Sequence, residues 1–299
     1  MLKVNNVSHA FGENQILDNV SFEANQGDII GLVAPNGTGK TTLLNILMNF
    51  LSPQDGHVSI ALENEELDYS TIKRSVQMHR QIIFLPELED LYDQMTGRDH
   101  LELYAKLWQK TTDHVPGIIE KLNIDSYVND KVHTYSLGMR QRLSFAMLLC
   151  ADPPIMLMDE VMNGLDPDNI DLLTGILLEL RENGKVILIA SHLLDNLDIY
   201  ATRVMFLKDG QVVFLDDELT QQPFLKIEVG ETSQEELSKK ELWPEGSHLF
   251  ENHLLAIPVK DKNEQEVSTL VERALINGFT KLSIGQVGTS EWYGEFYGK

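Results

Sequence analysis

The strongest motif of this chain is a stretch of nine residues, Ala34-Pro35-Asn36-Gly37-Thr38-Gly39-Lys40-Thr41-Thr42. They follow an apolar run at 29–33 and precede a segment with helical periodicity at about 40–50. A strand, a glycine-rich loop and a helix in this order are typical of a phosphate-binding loop. The glycines let backbone N–H groups approach a phosphate, and the helix N-terminus adds partial positive charge. The pattern therefore predicts a nucleotide site.

Individual side chains of the loop have separate expected roles. We expect Lys40 to contact the β- and γ-phosphates and the Thr41 hydroxyl to ligate Mg²⁺. The other predicted nucleotide-binding residues of the loop are Asn36, Gly37, Thr38, Gly39 and Thr42. Ala34 replaces the first glycine of the usual pattern, which the loop accepts if φ is negative there. Kinases, GTPases and ATPases share such a loop, so the motif alone indicates only a nucleotide.

The rest of the chain indicates an α/β fold. Three more apolar runs without alternation, at 82–85, 155–158 and 186–190, are typical of strands covered on both faces of a parallel sheet. Helical patterns separate them, at about 98–109, 114–123, 139–150 and 170–183. Antiparallel strands are expected at 2–9 and 16–22, and a hairpin at 204–214 with Asp209-Gly210 as its turn. Ligands gather at the carboxyl ends of strands in such sheets.

An acidic pair follows one of these runs directly. Asp159-Glu160 ends the apolar run at 155–158, downstream of the phosphate loop. We expect Asp159 to hold Mg²⁺, usually through water, and Glu160 to orient or deprotonate the attacking water. A solvated strand end is the alternative explanation for the pair.

A further motif narrows the class of protein. Residues 135–143 are Tyr-Ser-Leu-Gly-Met-Arg-Gln-Arg-Leu, and this segment resembles the signature of the ATP-binding cassette (ABC) family, whose usual core is Leu-Ser-Gly-Gly-Gln. A serine hydroxyl and backbone amides at a helix N-terminus form an anion site. The resemblance implies that Ser136 and Gly138 contact the γ-phosphate bound to a second subunit, so that two chains enclose two ATP molecules. The alternative for Ser136 is an ordinary helix cap.

The resemblance extends to four more positions. Asp166, in Asn163-Gly164-Leu165-Asp166-Pro167, matches the aspartate of the D-loop, which the family places at the dimer interface. His192 matches the switch histidine that contacts the γ-phosphate. Phe11 stands where the family has an aromatic ring against adenine, although a core role fits as well. Glu87 replaces the usual glutamine of the Q-loop, and its carboxylate is expected to face Mg²⁺ or the attacking water.

The predicted fold is an ABC-type P-loop NTPase, with a parallel core sheet, an antiparallel β subdomain and a helical subdomain. We expect this ATPase domain at 1–222, with the helical subdomain at about 88–152. The resemblance covers about 1–220. Residues 223–299 are predicted to be a small α+β appendage, with strands at 224–230, 253–259 and 281–286 and a helix at 264–277.

The predicted function is an ATP-binding and ATP-hydrolysing subunit of an ABC transporter, with ATP and Mg²⁺ as cofactors. The resemblance implies a bacterial exporter of peptides or drugs, of the bacteriocin-immunity type, working with a transmembrane permease and a second ATPase subunit. That subunit is either a second copy or a different chain. No run is long enough to span a membrane, so we expect a cytoplasmic protein held at the inner face of the membrane by the permease.

Two other functions are weighed against this one. A soluble ABC ATPase acting on ribosomes or DNA is the first, but the net charge of -22 disfavours nucleic acid as a partner. A small-molecule kinase is the second, and it leaves the motifs at 135–142 and 163–167 unexplained. The single cysteine, Cys150, excludes an internal disulfide and fits a reducing compartment.

Overall fold

Strands alternate with helices across residues 1–215 and 222–298, the part of the chain that the computed structural model describes. The strands, β1 to β14 in chain order, are Leu2–Phe11, Asn14–Ala24, Ile29–Val33, Asp55–Ala61, Glu66–Asp68, Ile82–Phe84, Ile155–Asp159, Val186–Ala190, Arg203–Lys208, Gln211–Phe214, Phe224–Glu228, His248–Leu249, Leu254–Pro258 and Leu282–Gly285. The helices, α1 to α10, are Lys40–Leu47, Ile72–His79, Gly97–Leu107, Val115–Lys121, Leu137–Ala151, Pro167–Glu182, Leu194–Tyr200, Gln234–Lys239, Glu264–Ile276 and Thr289–Tyr297.

These elements divide into two units. The first comprises Met1–Leu193 and Ile199–Val212, and the second comprises Leu194–Asp198 and Val213–Lys299. Residues 216–221, the last part of the predicted ATPase domain, lie outside the described residues. The boundary at 222/223 therefore stays a prediction.

A six-stranded sheet forms the centre of the first unit, in the order β10-β9-β3-β8-β7-β6. Strand β3 pairs in parallel with β8 and β9, and β7 pairs in parallel with β6 and β8. All five residues of β3 and all five of β8 are buried, as expected for strands covered on both faces. This sheet brings the ends of β3, β7 and β8 side by side, so the residues that follow them become neighbours.

A second sheet of the first unit is antiparallel, in the order β2-β1-β4-β5. The sequence analysis predicted β1 and β2 but missed β4, β5 and α2. Strand β4 begins with three exposed residues, 55–57, and only its last part shows buried apolar positions. Helix α2 buries only Met78, while its other apolar residues, Ile72 and Val76, are exposed, so neither element is marked by a set of buried apolar residues along its length. They form because they pair or pack with the rest of the sheet.

Helices α3, α4 and α5 lie within about 88–152, the range of the predicted helical subdomain, whose bounds stay a prediction. A capping box at Thr96 and Asp99 starts α3. The Tyr135 hydroxyl donates to the Tyr127 carbonyl at 2.8 Å, and a Cβ on Gly97 would lie 2.5 Å from that hydroxyl oxygen. Glycine at 97 therefore makes room for the tyrosine that precedes the signature helix α5.

The second unit is an antiparallel sheet in the order β12-β13-β11-β14, with chain order β-α-β-β-α-β. This is the split β-α-β arrangement. One face of the sheet packs with Leu237 of α8 and Leu270 of α9. The other face carries Phe224, and Trp292 of α10 packs there. The three strands and the helix predicted for this region are present, and α8, β12 and α10 were missed.

Candidate functional site

A cleft of about 320 Å³ lies between the glycine-rich loop and the end of β7. It brings together nine of the predicted residues, which are Phe11, Asn36, Gly37, Gly39, Lys40, Thr41, Thr42, Asp159 and Glu160. Ile16 also lines it and was not predicted. The Thr38 hydroxyl is used inside the loop, where it donates to the Pro35 carbonyl at 2.8 Å.

The loop geometry leaves backbone donors available to an anion. Gly39 precedes α1 with φ 114°, and no side chain caps the helix. A Cβ on Gly39 would lie 2.8 Å from Ile16 Cγ2, so the packing as well as the φ angle requires glycine there. Ala34, in place of the first glycine, does not have a positive φ. The loop therefore forms without that glycine, and the N-terminus of α1 has the geometry that an anion site requires.

Lys40 supplies the full positive charge of the cleft. It is buried, and its Nζ donates to the Ala34 carbonyl at 2.5 Å and the Pro35 carbonyl at 3.3 Å. Burial lowers the pKa of Lys40, and the charges of Glu160 and Asp159 partly oppose that effect. A phosphate group would compensate this buried charge more fully than two carbonyls do.

Thr41 and Asp159 form a pair of hard oxygen donors. The Thr41 hydroxyl donates to Asp159 Oδ2 at 3.2 Å. Burial raises the pKa of Asp159, while the Thr41 hydrogen bond opposes that shift. Nowhere in the described ranges do three His, Cys, Asp or Glu side chains form a metal cluster. A hydroxyl and one carboxylate are nevertheless a set that suits Mg²⁺ when phosphates and water complete the coordination. The residues therefore fit the expected ion.

Glu160 is held on both carboxylate oxygens. His192 Nε2 lies 2.5 Å from Glu160 Oε1, and Asn163 Nδ2 donates to Glu160 Oε2 at 2.6 Å. Because a carboxylate only accepts, the N–H of that imidazole is on Nε2. Glu160 has φ 51°, which is unusual for a residue other than glycine, and its N–H donates to the Ala190 carbonyl at 2.9 Å. The strand end thus places Glu160 and His192 together.

Phe11 is exposed to 56% of its surface and lines the same cleft. Its ring meets His9 edge-on, with centroids 4.8 Å apart. A large exposed ring beside a phosphate site fits base stacking better than a core role.

A second cleft, of about 350 Å³, contains the predicted signature residues. Ser136 caps α5 by accepting from Met139 N at 3.3 Å, and Gly138 lines the cleft. A Cβ on Gly138 would meet only Leu165 Cδ2, at 3.9 Å, so this chain leaves open space there. Asp166 borders the same cleft and caps α6 by accepting from Asn169 N at 2.9 Å. The hydrogen bonds from Asn169 lower the pKa of Asp166.

Glu87 lies in a third cleft, of about 430 Å³, together with Thr41, Asp159 and Glu160. The neighbouring Ser144 of α5 donates to the Pro86 carbonyl at 2.6 Å and fixes the loop that carries Glu87. The position suits a residue that faces the phosphates, and ligation of the metal by Glu87 stays a prediction.

Among the described helices none is long and apolar enough to cross a membrane.

One side chain that contacts Glu160, that of Asn163 in the D-loop, was not predicted from the sequence. In the sequence, Asn163 is only the first residue of the D-loop motif. Its contact with Glu160 was not predictable, because the spacing of residues along the chain does not show which side chains form hydrogen bonds. Gln141 was missed in the same way, although its Nε2 donates to the Asn163 carbonyl at 2.6 Å.

Comparison with known proteins gives one consistent family. The family described as "ABC transporter" matches residues 17–163. An uncharacterised ABC transporter ATP-binding protein of Bacillus subtilis, YdbJ, is 33% identical over 214 residues, which cover 71% of this chain and 68% of that protein. The lantibiotic transport ATP-binding protein SrtF of Streptococcus pyogenes is 29% identical over 213 residues, covering 71% of this chain and 89% of that protein.

Solved structures agree in fold. A dimeric post-hydrolysis structure of the ATP-binding cassette MJ0796 with ADP and Pi matches with a TM-score of 0.61 and 25% identity, over 72% of this chain and 98% of that one. The structure of an ATP-binding subunit of an ABC transporter matches with a TM-score of 0.67 at 24% identity, over 74% of this chain and 92% of that one. The predicted ABC-type fold is therefore confirmed, and this chain belongs to the ABC transporter family as an ATP-binding protein.

Proposed function

We propose that this chain hydrolyses ATP within a dimer of cassettes and drives a separate membrane permease that exports its substrate. The observation that carries the proposal is the separation of two anion sites within one chain. The cleft around Lys40 and the cleft around Ser136 have no lining residue in common. A nucleotide bound at Lys40 would thus lie in a cleft that contains none of the signature residues, and a second cassette would supply them.

The first cleft has the groups that ATP binding requires. Lys40 and the open N-terminus of α1 would hold the phosphates, and Phe11 would stack on adenine. Thr41 and Asp159 would hold Mg²⁺, which when bound neutralises phosphate charge. The γ-phosphate would also contact the second chain, at Ser136, at the α5 amides and at the open space beside Gly138.

Glu160 is the proposed catalytic base. Its carboxylate would accept a proton from water while the water oxygen attacks the γ-phosphorus. The bond from that phosphorus to the bridging oxygen breaks, so the products are ADP and phosphate. His192 contacts the same carboxylate and would turn to the γ-phosphate when nucleotide is present. Loss of the γ-phosphate removes the charge that bridges the chains, so the dimer opens.

A role in transport is supported by the names of two relatives. SrtF carries the name lantibiotic transport ATP-binding protein, and LnrL of Bacillus subtilis carries the name linearmycin resistance ATP-binding protein, at 24% identity. The first name concerns transport of a lantibiotic and the second concerns resistance to linearmycin. The proposed partners are accordingly a membrane permease and a second ATPase subunit.

The test is the variant Glu160→Gln in the full chain. Glutamine keeps the size of the side chain but cannot accept the proton, so turnover should fall by on the order of 10²–10⁴-fold while ATP binding is kept. ATP hydrolysis is measured as phosphate release, and dimerisation with ATP by light scattering. Glu182→Gln, an exposed position on α6, is the matched control and should behave like wild type. Hydrolysis by E160Q at the wild-type rate would remove Glu160 from its role.

A further inference from the structure

Two amides connect the signature helix with the proposed catalytic carboxylate. Gln141, on α5, donates from Nε2 to the Asn163 carbonyl at 2.6 Å. Asn163 in turn donates from Nδ2 to Glu160 Oε2 at 2.6 Å. Its backbone N–H also donates to the Glu160 carbonyl at 3.1 Å, which closes a tight turn. Glu160 is therefore tied through Asn163 to a helix of the same chain.

The chemistry of this connection requires an amide at 163. An asparagine side chain donates to a carboxylate without adding charge, whereas an aspartate at 2.6 Å from Glu160 would repel it. The hydrogen bond is charge-assisted, the stronger class of hydrogen bond in proteins. It also holds a residue whose φ of 51° is otherwise unfavourable.

Gln141 lines the same cleft as Glu160, but its side-chain donor is used within the chain. It is buried, with 8% of its surface exposed, and its Oε1 has no hydrogen-bond partner among the described residues. Its Nε2 is committed to the Asn163 carbonyl. A buried glutamine whose Nε2 has a partner but whose Oε1 has none lowers the free energy of unfolding, so a purely stabilising role does not explain it. Its position is better explained by the orientation that it gives Asn163.

The other donor to Glu160 has a competing task. His192 contacts Oε1, but the proposed function requires this histidine to meet the γ-phosphate. When His192 turns to the phosphate, Asn163 still holds Glu160 through Oε2. We infer that Asn163 is a positioning residue that orients Glu160 toward the attacking water, and that Gln141 acts through Asn163. This inference rests on the proposed function, because it assigns a role relative to Glu160 as the base.

The experiment is a double-substitution cycle in the full chain, with kcat and KM for ATP as readouts. The variants are Asn163→Ala, Gln141→Leu and the two combined. Loss of orientation at the reacting group should lower kcat for Asn163→Ala by roughly ten- to a hundredfold, with KM changed less than about twofold. Gln141→Leu should give a smaller fall in kcat. The double variant should be no slower than Asn163→Ala, because Gln141 acts only through Asn163.

Conservative and control variants keep the test decisive. Asn163→Ser keeps a short donor and the carbonyl that Gln141 needs, so it should recover part of the lost kcat, and it serves if Asn163→Ala does not fold. Asn183→Ala, at the end of α6, is the matched control and should keep wild-type values. Equal changes in kcat and KM, additive effects, or wild-type kcat in Asn163→Ala would overturn the inference. If Glu160→Gln is inactive but Asn163→Ala is not, only the inference fails, whereas an active Glu160→Gln ends the proposed function as well.

Discussion

A substitution at Gly138 tests the shared nucleotide site without destabilising the chain that carries the substitution. The residue lies in the first turn of α5 and does not have a positive φ. A Cβ placed there would meet only Leu165 Cδ2, at an ordinary contact distance of 3.9 Å. Gly138→Ala therefore introduces no strain within the chain, and its higher helix propensity should raise the free energy of unfolding by up to about 1 kcal/mol.

The same methyl group should obstruct the second chain. If a γ-phosphate approaches the α5 amides to hydrogen-bond distance, a Cβ at 138 occupies space that the phosphate oxygens need. A displacement of about 1 Å at the reacting group costs on the order of a hundredfold in rate. We therefore expect ATP hydrolysis and ATP-dependent dimerisation to fall by at least tenfold, while ATP affinity of the monomer is kept because Lys40 lies in the other cleft.

The assay pairs chemical unfolding with nucleotide binding, dimerisation and phosphate release. Gly175→Ala is the matched control, since Gly175 lies in α6 with nothing within 4 Å of an added Cβ. Both variants should gain stability, and only Gly138→Ala should lose hydrolysis. Wild-type hydrolysis by Gly138→Ala would show that no phosphate approaches this turn.

Two further predictions concern single side chains. Phe11→Ala should weaken ATP binding about tenfold through loss of base stacking. Phe50, another exposed ring, lies outside the cleft, so Phe50→Ala should leave ATP binding unchanged. Equal affinities of wild type and Phe11→Ala for ATP would contradict the stacking role. Burial raises the pKa of Asp152, but hydrogen bonds and charge from Lys185 and Lys110 outweigh it, so the net pKa is lowered. A lowered pKa gives stability that is present above the ordinary value of 3.8 and is lost as pH falls through the folded-state value. Asp152→Asn, which tolerates the φ of 44°, should cost under about 1 kcal/mol at pH 7, because the side chain is half exposed. Urea unfolding should show this difference shrinking below about pH 4, and a difference constant with pH would count against the ion pairs.

Local patterns predicted the core sheet and the loops at its edge. Strands β3 and β8 are apolar throughout, so their burial and parallel pairing follow from composition, and Gly39 and Lys40 follow from the motif. The hairpin turn was also predictable, because Asp-Gly is a preferred pair for a two-residue turn. Asp209 and Gly210 both have positive φ in the structure, as this turn type requires.

The parts that sequence did not predict depend on contacts between distant segments. Strand β4 is stabilised by pairing with β1, and α10 by packing of Trp292 against Phe250, neither of which has a local signature. The link from Gln141 to Glu160 joins residues from a helix, a loop and a strand end. Motif spacing places such residues in order along the chain but does not show which atoms meet.

In the proposed dimer, each nucleotide is held by Lys40 of one chain and by the Ser136 turn of another. Lys40→Ala and Gly138→Ala should each lose at least nine-tenths of hydrolysis alone, a fall of about tenfold or more, since each homodimer lacks one half of both sites. Mixed in equal amounts, they should recover roughly a quarter of wild-type hydrolysis, because about half of the dimers then contain one intact site. Absence of any recovery, in a mixture shown to exchange subunits, would contradict the claim.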